Sequence, residues 1–300
     1  MILKFFNQTL LLLAFTISFC ESLHAQAINL VVNGNFETGD LTGWTADEQN
    51  PHGPADGFWT VYSGNSTLLP PPPEGTYAAY SDTRLFCSLI LYQDITLPGP
   101  STLQYTYYYE QNPTIEFVTQ PTLSVSTSPN QQARIDIMNP SSSPFSVDPS
   151  DVWLNLFQTE PGDPTSLSPT TVSFDLSSFA GETIRLRYAV TATQGYLYLA
   201  VDAVSILLEV TPPVNLTGSV LKNRFLTQKD RINHLQWQPS LTTGIAAYYV
   251  FRNGKLIAKI PSTAPLMYND HNRGKKPDVY SVTAVTADGI ESNPVTITLP

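Results

Sequence analysis

Apolar and polar side chains alternate with period two along most of the chain, the pattern of strands buried on one face. No segment carries a helical period for more than a turn or two. The alternation predicts strands over 29–32, 58–63, 77–80, 88–95, 101–110, 133–138, 152–158, 170–175, 183–191 and 195–208. Prolines fix the intervening 70–73 and 139–149 stretches as loops. Strands at this spacing predict an all-β fold, a β-sandwich followed by a second, smaller β-sandwich.

The boundary falls at Thr211-Pro212-Pro213, a stiff break directly after the apolar strand that ends at Val210. Residues 28–210 and 211–300 are read as the two domains, each large enough to bury a core. Ahead of them, Lys4 precedes an apolar run from Leu10 to Phe19, and Ala25-Gln26-Ala27 supplies a small-x-small cleavage site. Residues 1–27 therefore read as a secretory signal peptide. The run is shorter than the roughly 20 residues needed to span a bilayer. Lipidation at Cys20 is disfavoured by the bulky Phe19 before it. The expected location is extracellular, or the periplasm and cell envelope. Beyond the signal the sole cysteine is Cys87, inside the strand-like Phe86-Cys87-Ser88-Leu89-Ile90. It is expected to be a buried thiol with no internal disulfide, and no neighbouring His or Lys activates it.

Charge divides the same way as pattern. Residues 28–210 hold four basic and nineteen acidic side chains, a net −15, whereas 211–300 hold ten basic and five acidic, a net +5. Charged residues make up 13% of the chain, against about 25% in an average soluble domain. Export and the acidic first domain together disfavour nucleic acid as a partner.

The segment NLVVNGNFETGDLTGW at 29–44 resembles the opening of the galactose-binding-like jelly rolls, a group that includes carbohydrate-binding modules. LYQDITLP at 91–98, ARIDIM at 133–138, SFDLSSFAGETIRLRYAV at 173–190 and YLYLAVDAVSI at 196–206 follow in the family's order. The resemblance implies a jelly roll over about 29–208. It also implies a structural calcium ion shared by Glu37 and Asp202. Ala203 stands where the family often has a further acidic residue. The alternative is that Glu37 caps a loop and Asp202 accepts from backbone amides.

A sugar site needs an aromatic platform flanked by planar polar groups. Period two places Trp153, Asn155 and Phe157 opposite the buried Val152, Leu154 and Leu156. The same argument turns Arg185 and Arg187, and Arg134 and Asp136, outward from their strands, with Tyr108 and Glu110 as candidates to join them. Against this site stands cross-strand pairing of the arginines with carboxylates, with Trp153 in a second packing layer.

Residues 212–300 resemble a fibronectin type III domain. HLQWQPS carries its core tryptophan, Trp237; Asn253-Gly254 is a hairpin turn; VYSVTAVTADGIESNP places Tyr280 at the tyrosine-corner position. Asp270, His271, Arg273, Lys275 and Lys276 share one loop, expected to be solvated. Only His52, His234 and His271 follow the signal, without metal-ligand spacing, and no nucleophile elbow or phosphate loop occurs. The expected function is non-catalytic binding of a carbohydrate or glycoconjugate, with the second domain as spacer or protein-docking module. An adhesive envelope protein that binds another protein and a secreted glycosidase are the alternatives.

Overall fold

The computed structural model describes residues 28–53, 55–64, 68–84, 86–224 and 229–300; the expected signal peptide, 1–27, lies outside them. Its strands are β1 (Ile28–Asn29), β2 (Thr45–Gln49), β3 (Gly57–Tyr62), β4 (Ala78–Thr83), β5 (Cys87–Thr96), β6 (Ser101–Gln111), β7 (Gln131–Met138), β8 (Val152–Gln158), β9 (Ser166–Asp175), β10 (Thr183–Ala192) and β11 (Leu197–Leu208). They form two antiparallel sheets. One runs β3-β4-β11-β6-β9 with β1 added beside β11, and the other runs β2-β5-β10-β7-β8. Seven further strands, β12 (Val214–Arg224), β13 (Lys229–Gln238), β14 (Ile245–Arg252), β15 (Lys255–Pro261), β16 (Met267–Asp270), β17 (Asp278–Thr286) and β18 (Val295–Leu299), form a three-stranded sheet β12-β13-β16 and a four-stranded sheet β15-β14-β17-β18. The fold is all-β, as the alternation predicts.

The larger core lies between the six- and five-stranded sheets. Leu89, Leu91 and Ile95 from β5, Ile135 and Ile137 from β7, and Ile184, Leu186, Tyr188 and Val190 from β10 face Leu103 and Tyr105 from β6 and Leu197, Leu199 and Val201 from β11. Cys87 is fully buried, and burial, with Asp56 nearby, pushes its thiol up to about 12. A thiol so protonated is an inert packing group.

Two devices explain why the first strand stops at Asn29. The amide of Gln93 clamps the following loop, with Nε2 donating to Val32 O at 3.0 Å and Gly43 O at 2.9 Å, while Oε1 accepts from Val32 N at 2.9 Å. The loop also passes so close to β11 that a Cβ on Gly34 would stand 2.0 Å from Val204 O. Asn33 and Phe36 adopt positive φ there, which ends the ladder. Strand β2 went unpredicted because TADEQ has no buried apolar set; it is an exposed edge strand.

A second core gathers Leu235, Trp237, Tyr248, Val250, Tyr280, Val282 and Ala284, joined by Val210 from the predicted boundary. Asn253 and Gly254 take positive φ at the β14–β15 turn. The Tyr280 hydroxyl does not meet upstream backbone: it donates to Asp270 Oδ2 at 2.6 Å and accepts from Asn233 Nδ2 at 3.0 Å.

Candidate functional site

The predicted arginine site does assemble, but as a buried strut. Asp136 and Arg187 stand opposite each other across β7 and β10, and Asn155 stands opposite Asp136 across β8. The Asp136 carboxylate accepts from Arg134 Nε and Nη2, both at 2.8 Å, from Arg187 Nη2 at 2.5 Å and from Asn155 Nδ2 at 2.9 Å. Burial alone would raise this acid; hydrogen bonds from Arg134 and the Arg187 charge outweigh it and hold Asp136 below its ordinary value.

The expectation that this face meets solvent fails because the 139–151 loop roofs it. Arg187 Nη1 donates to Pro144 O at 2.7 Å and Ser146 O at 2.6 Å. Arg185 reaches Pro140 O at 2.7 Å and Ser142 O at 3.0 Å, pairs with Asp94 at 2.7 Å and lies over the Tyr92 ring at 4.1 Å. Arg187 and Asp136 are fully buried, and Arg134 and Arg185 nearly so. Proline-rich loops leave carbonyls without sheet N–H donors, and the guanidiniums supply them. A cleft of about 760 Å³ between 119–122 and 145–149 reaches Arg134. Its one aromatic lining residue, Phe145, packs against Ile90, Leu123 and Ala189, so the cleft lacks a platform.

Strand β8 departs from strict alternation. Its register skips Trp153 and Leu156, two bulges that rotate the side chains between them. Phe157 accordingly turns into the core against Tyr107, 4.7 Å between ring centroids, instead of joining Asn155. Trp153 remains 37% exposed but stacks on Phe179 at 6.0 Å and 11°. Tyr108 belongs to the other sheet, fully buried, with its hydroxyl bonded to that of Tyr62. Trp153, Tyr108 and the arginines therefore do not share one surface.

The outer face of the six-stranded sheet is different in kind. Outward positions on β3, β4, β6 and β11 carry Phe58, Tyr80, Asp82, Glu110 and Tyr198, the alternates of core residues Trp59, Ala79, Tyr109, Leu197 and Leu199. Tyr196 and Tyr198 stack at 5.1 Å and 17°, Tyr198 meets Tyr80 edge-on at 6.1 Å, and Tyr80 meets Tyr62 at 5.1 Å. One end of this face is covered where Tyr62, Leu69 and Tyr108 pack together. Beyond it, Tyr80, Tyr196 and Tyr198 are half-exposed. Their hydroxyls have no hydrogen-bond partner among the described residues.

Polar groups frame these rings. Glu110 stands opposite Tyr198 across β6 and β11. Arg84 donates to Asp82 Oδ2 from Nε at 3.1 Å and Nη2 at 2.5 Å, and lies over the Phe58 ring at 5.2 Å. Burial raises Tyr80, Tyr198 and Glu110 above their ordinary values, and Asp82 adds to the shift on both tyrosines. The rings thus stay neutral donors at physiological pH. The signal was present in the sequence: GYLYLAVD at 195–202 alternates tyrosine with leucine, which puts both tyrosines on one face.

Glu37 and Asp202 both grip the 74–77 turn. Glu37 Oε1 accepts from Thr76 N at 2.7 Å and Tyr77 N at 2.8 Å, so close to the turn that a Cβ on Gly75 would meet it at 2.4 Å. Those amides lower its pKa, that of Tyr77 first. Asp202 accepts from Glu74 N at 3.0 Å and Ala203 N at 2.7 Å. It is fully buried, and burial, with Glu74 and Glu37 nearby, pushes it up to about 6. The donor chemistry suits a hard cation, all oxygen and net negative. Among the described residues, however, no three His, Cys, Asp or Glu side chains are placed to share a metal ion. None of the described helices is long and apolar enough to cross a membrane.

No protein-family model and no curated protein sequence matches the chain. Solved structures do. The K1 cleaved adhesin domain of Lys-gingipain from Porphyromonas gingivalis W83 is 12% identical, covers 61% of this chain and 99% of that one, and gives a TM-score of 0.39. TmCBM61, solved in complex with β-1,4-galactotriose, is 15% identical, covers 61% and 99%, and gives 0.38. The adhesin domain of Epf from Streptococcus pyogenes is 12% identical, covers 90% and 96%, and gives 0.38. Glycoside hydrolase domains are among the further matches. Likenesses at this level carry no functional argument.

Proposed function

We propose that this chain is a non-catalytic carbohydrate-binding protein and that the outer face of its six-stranded sheet is the binding surface. The observation that carries this reading is the half-exposed Tyr80–Tyr198–Tyr196 array, whose hydroxyls have no partner among the described residues, set beside Glu110 and the Asp82–Arg84 pair. Sugar rings pair an apolar face with a girdle of hydroxyls; the tyrosine rings match the first, and the acids and phenols match the second. Tyr80 and Tyr198 lie on the regular strands β4 and β11, with Tyr196 directly ahead of β11, which fixes much of the geometry before a ligand arrives. The second sandwich is proposed to be fibronectin type III-like, a spacer or docking module. Its three-plus-four strand arrangement and the buried Trp237 support that reading.

A glycan array probed with the secreted chain tests the function. Discrete sugar hits that are lost in Tyr80→Ala and Tyr198→Ala support it. Absence of any hit transfers the function to a protein ligand. Turnover of a polysaccharide panel would make it an enzyme, with Glu110 and Asp82 as the first carboxylates to mutate.

A structural calcium ion at Glu37 and Asp202 forms part of the same proposal. Its support is the buried Asp202 with two further acids near it. Such an ion would stabilise the 74–77 turn beside the binding face. Calcium added to chelator-stripped protein should raise the melting temperature at pH 7 and leave Asp202→Asn unchanged; an unshifted wild type removes the ion.

A further inference from the structure

A cleft of about 630 Å³ opens where the β12–β13 hairpin meets the segment after β16. Lys222, Arg224, Lys229 and Arg231 line it from the hairpin, and Arg273 and Lys275 from the segment. The register sets Lys222 opposite Arg231 and Arg224 opposite Lys229. Residues directly opposed share a face, so four cations stand in two adjacent rows, about 5 Å apart across the strands and about 7 Å along them. Like charges in that arrangement cost stability unless an anion lies between them.

Among the described residues, no acidic side chain lies between these two rows. Lys222, Arg224, Lys229 and Lys275 form no ion pair among the described residues. Arg231 donates from Nη2 to Pro300 O, while its Nε is buried with no partner among the described residues. The lining has one carboxylate, Asp230, and it is engaged: Oδ2 lies 2.7 Å from His271 Nδ1, and Oδ1 accepts from Asn272 N at 2.9 Å. Arg273 is partly neutralised, 3.5 Å from Asp270 and 3.9 Å from Asp278.

We propose that this cleft binds an anionic polysaccharide, a polymer carrying carboxylate or sulfate groups, at a surface separate from the tyrosine face. The chemistry of the lining selects the class. Among the described residues, its lining has no aromatic ring on which a nucleic-acid base could stack and no apolar side chain to enter a membrane. The groups present are point-charge and planar donors, which suit charged groups spaced along a hydrated chain. The acidic first sandwich repels such a polymer, and contact is thereby confined to the cleft.

Immobilised dextran sulfate, with uncharged dextran as control, provides the test. A protein of net charge −10 has no reason to stay on a polyanion through its overall charge. Retention on dextran sulfate alone, reversed by salt, is the expected result. The triple substitution Lys222→Gln, Arg224→Gln and Lys275→Gln should weaken it at least about tenfold and lower the salt slope by about one per contact removed, as for other linear polyanions. These exposed positions tolerate glutamine; the melting temperature should hold or rise slightly as opposed charges are relieved. Tyr198→Ala should be retained like the wild type, which separates this site from the sugar site. No retention of the wild type, equal retention of the triple variant, or tighter binding to phosphatidylglycerol vesicles or single-stranded DNA would each overturn the proposal.

Discussion

The two outer faces of the first sandwich are built on the same alternation and reach opposite ends. On the five-stranded sheet the outward residues are arginines and an aspartate, and a proline-rich loop seals them in. On the six-stranded sheet they are tyrosines framed by acids, and much of the face stays open. Long cationic side chains can thread a loop's carbonyls and hold it down, whereas a ladder of tyrosines offers rings and hydroxyls that need no protein partner. Each face also buries one carboxylate. Asp136 has two guanidiniums and is held low, while Asp202 has only backbone amides and is raised to about 6.

The largest effect should come from the sealed face. Asp136→Ala leaves two buried guanidiniums unpaired, a loss of about 3–5 kcal/mol. Thermal melting should show the first sandwich destabilised by roughly 10 °C or more. A shift within 2–3 °C would mean that the loop is held by something else.

The two carboxylates predict opposite pH behaviour. Asp136, lowered on folding, contributes stability that is present at neutral pH and lost only as pH falls through its depressed folded value. Asp202, raised on folding, contributes stability that is complete below its unfolded value and disappears as pH rises through about 6. In calcium-free buffer the wild type should therefore gain stability between pH 7 and pH 4, by up to about 3 kcal/mol from Asp202. Asp202→Asn should flatten that rise. An equal rise in the variant would assign the effect to another group.

Effects on binding should be smaller and confined to the open face. Tyr198→Ala should weaken a glycan ligand at least about tenfold, on the order of 1.4 kcal/mol, with folding intact by circular dichroism. Trp153→Ala should leave affinity within about twofold. It should cost under about 1 kcal/mol of stability, since the ring is exposed and stacks only on Phe179. A reversed order of these two variants would return the site to the β8 edge.

Much of this contrast was legible in the residues. Period two located nearly every strand and correctly turned Arg134, Asp136, Arg185 and Arg187 to one face. It carries no information on what lies over that face, because the roof comes from 139–151, a loop without periodicity. It also misplaced Phe157, since a bulge is one skipped residue and leaves no mark in composition. Strand β2 escaped because an exposed edge strand buries nothing. Tyr196 and Tyr198 could have been found by the same alternation that found the arginines. Tryptophan drew attention to Trp153, and packing against Phe179 explains its place.

The open tyrosine face as the ligand surface is tested most directly by a two-dimensional NMR titration with the strongest hit of the glycan array. Aromatic signals of Tyr80, Tyr196 and Tyr198 should shift with the ligand while the Trp153 indole stays fixed. Movement of the Trp153 indole with unmoved tyrosines would contradict the assignment.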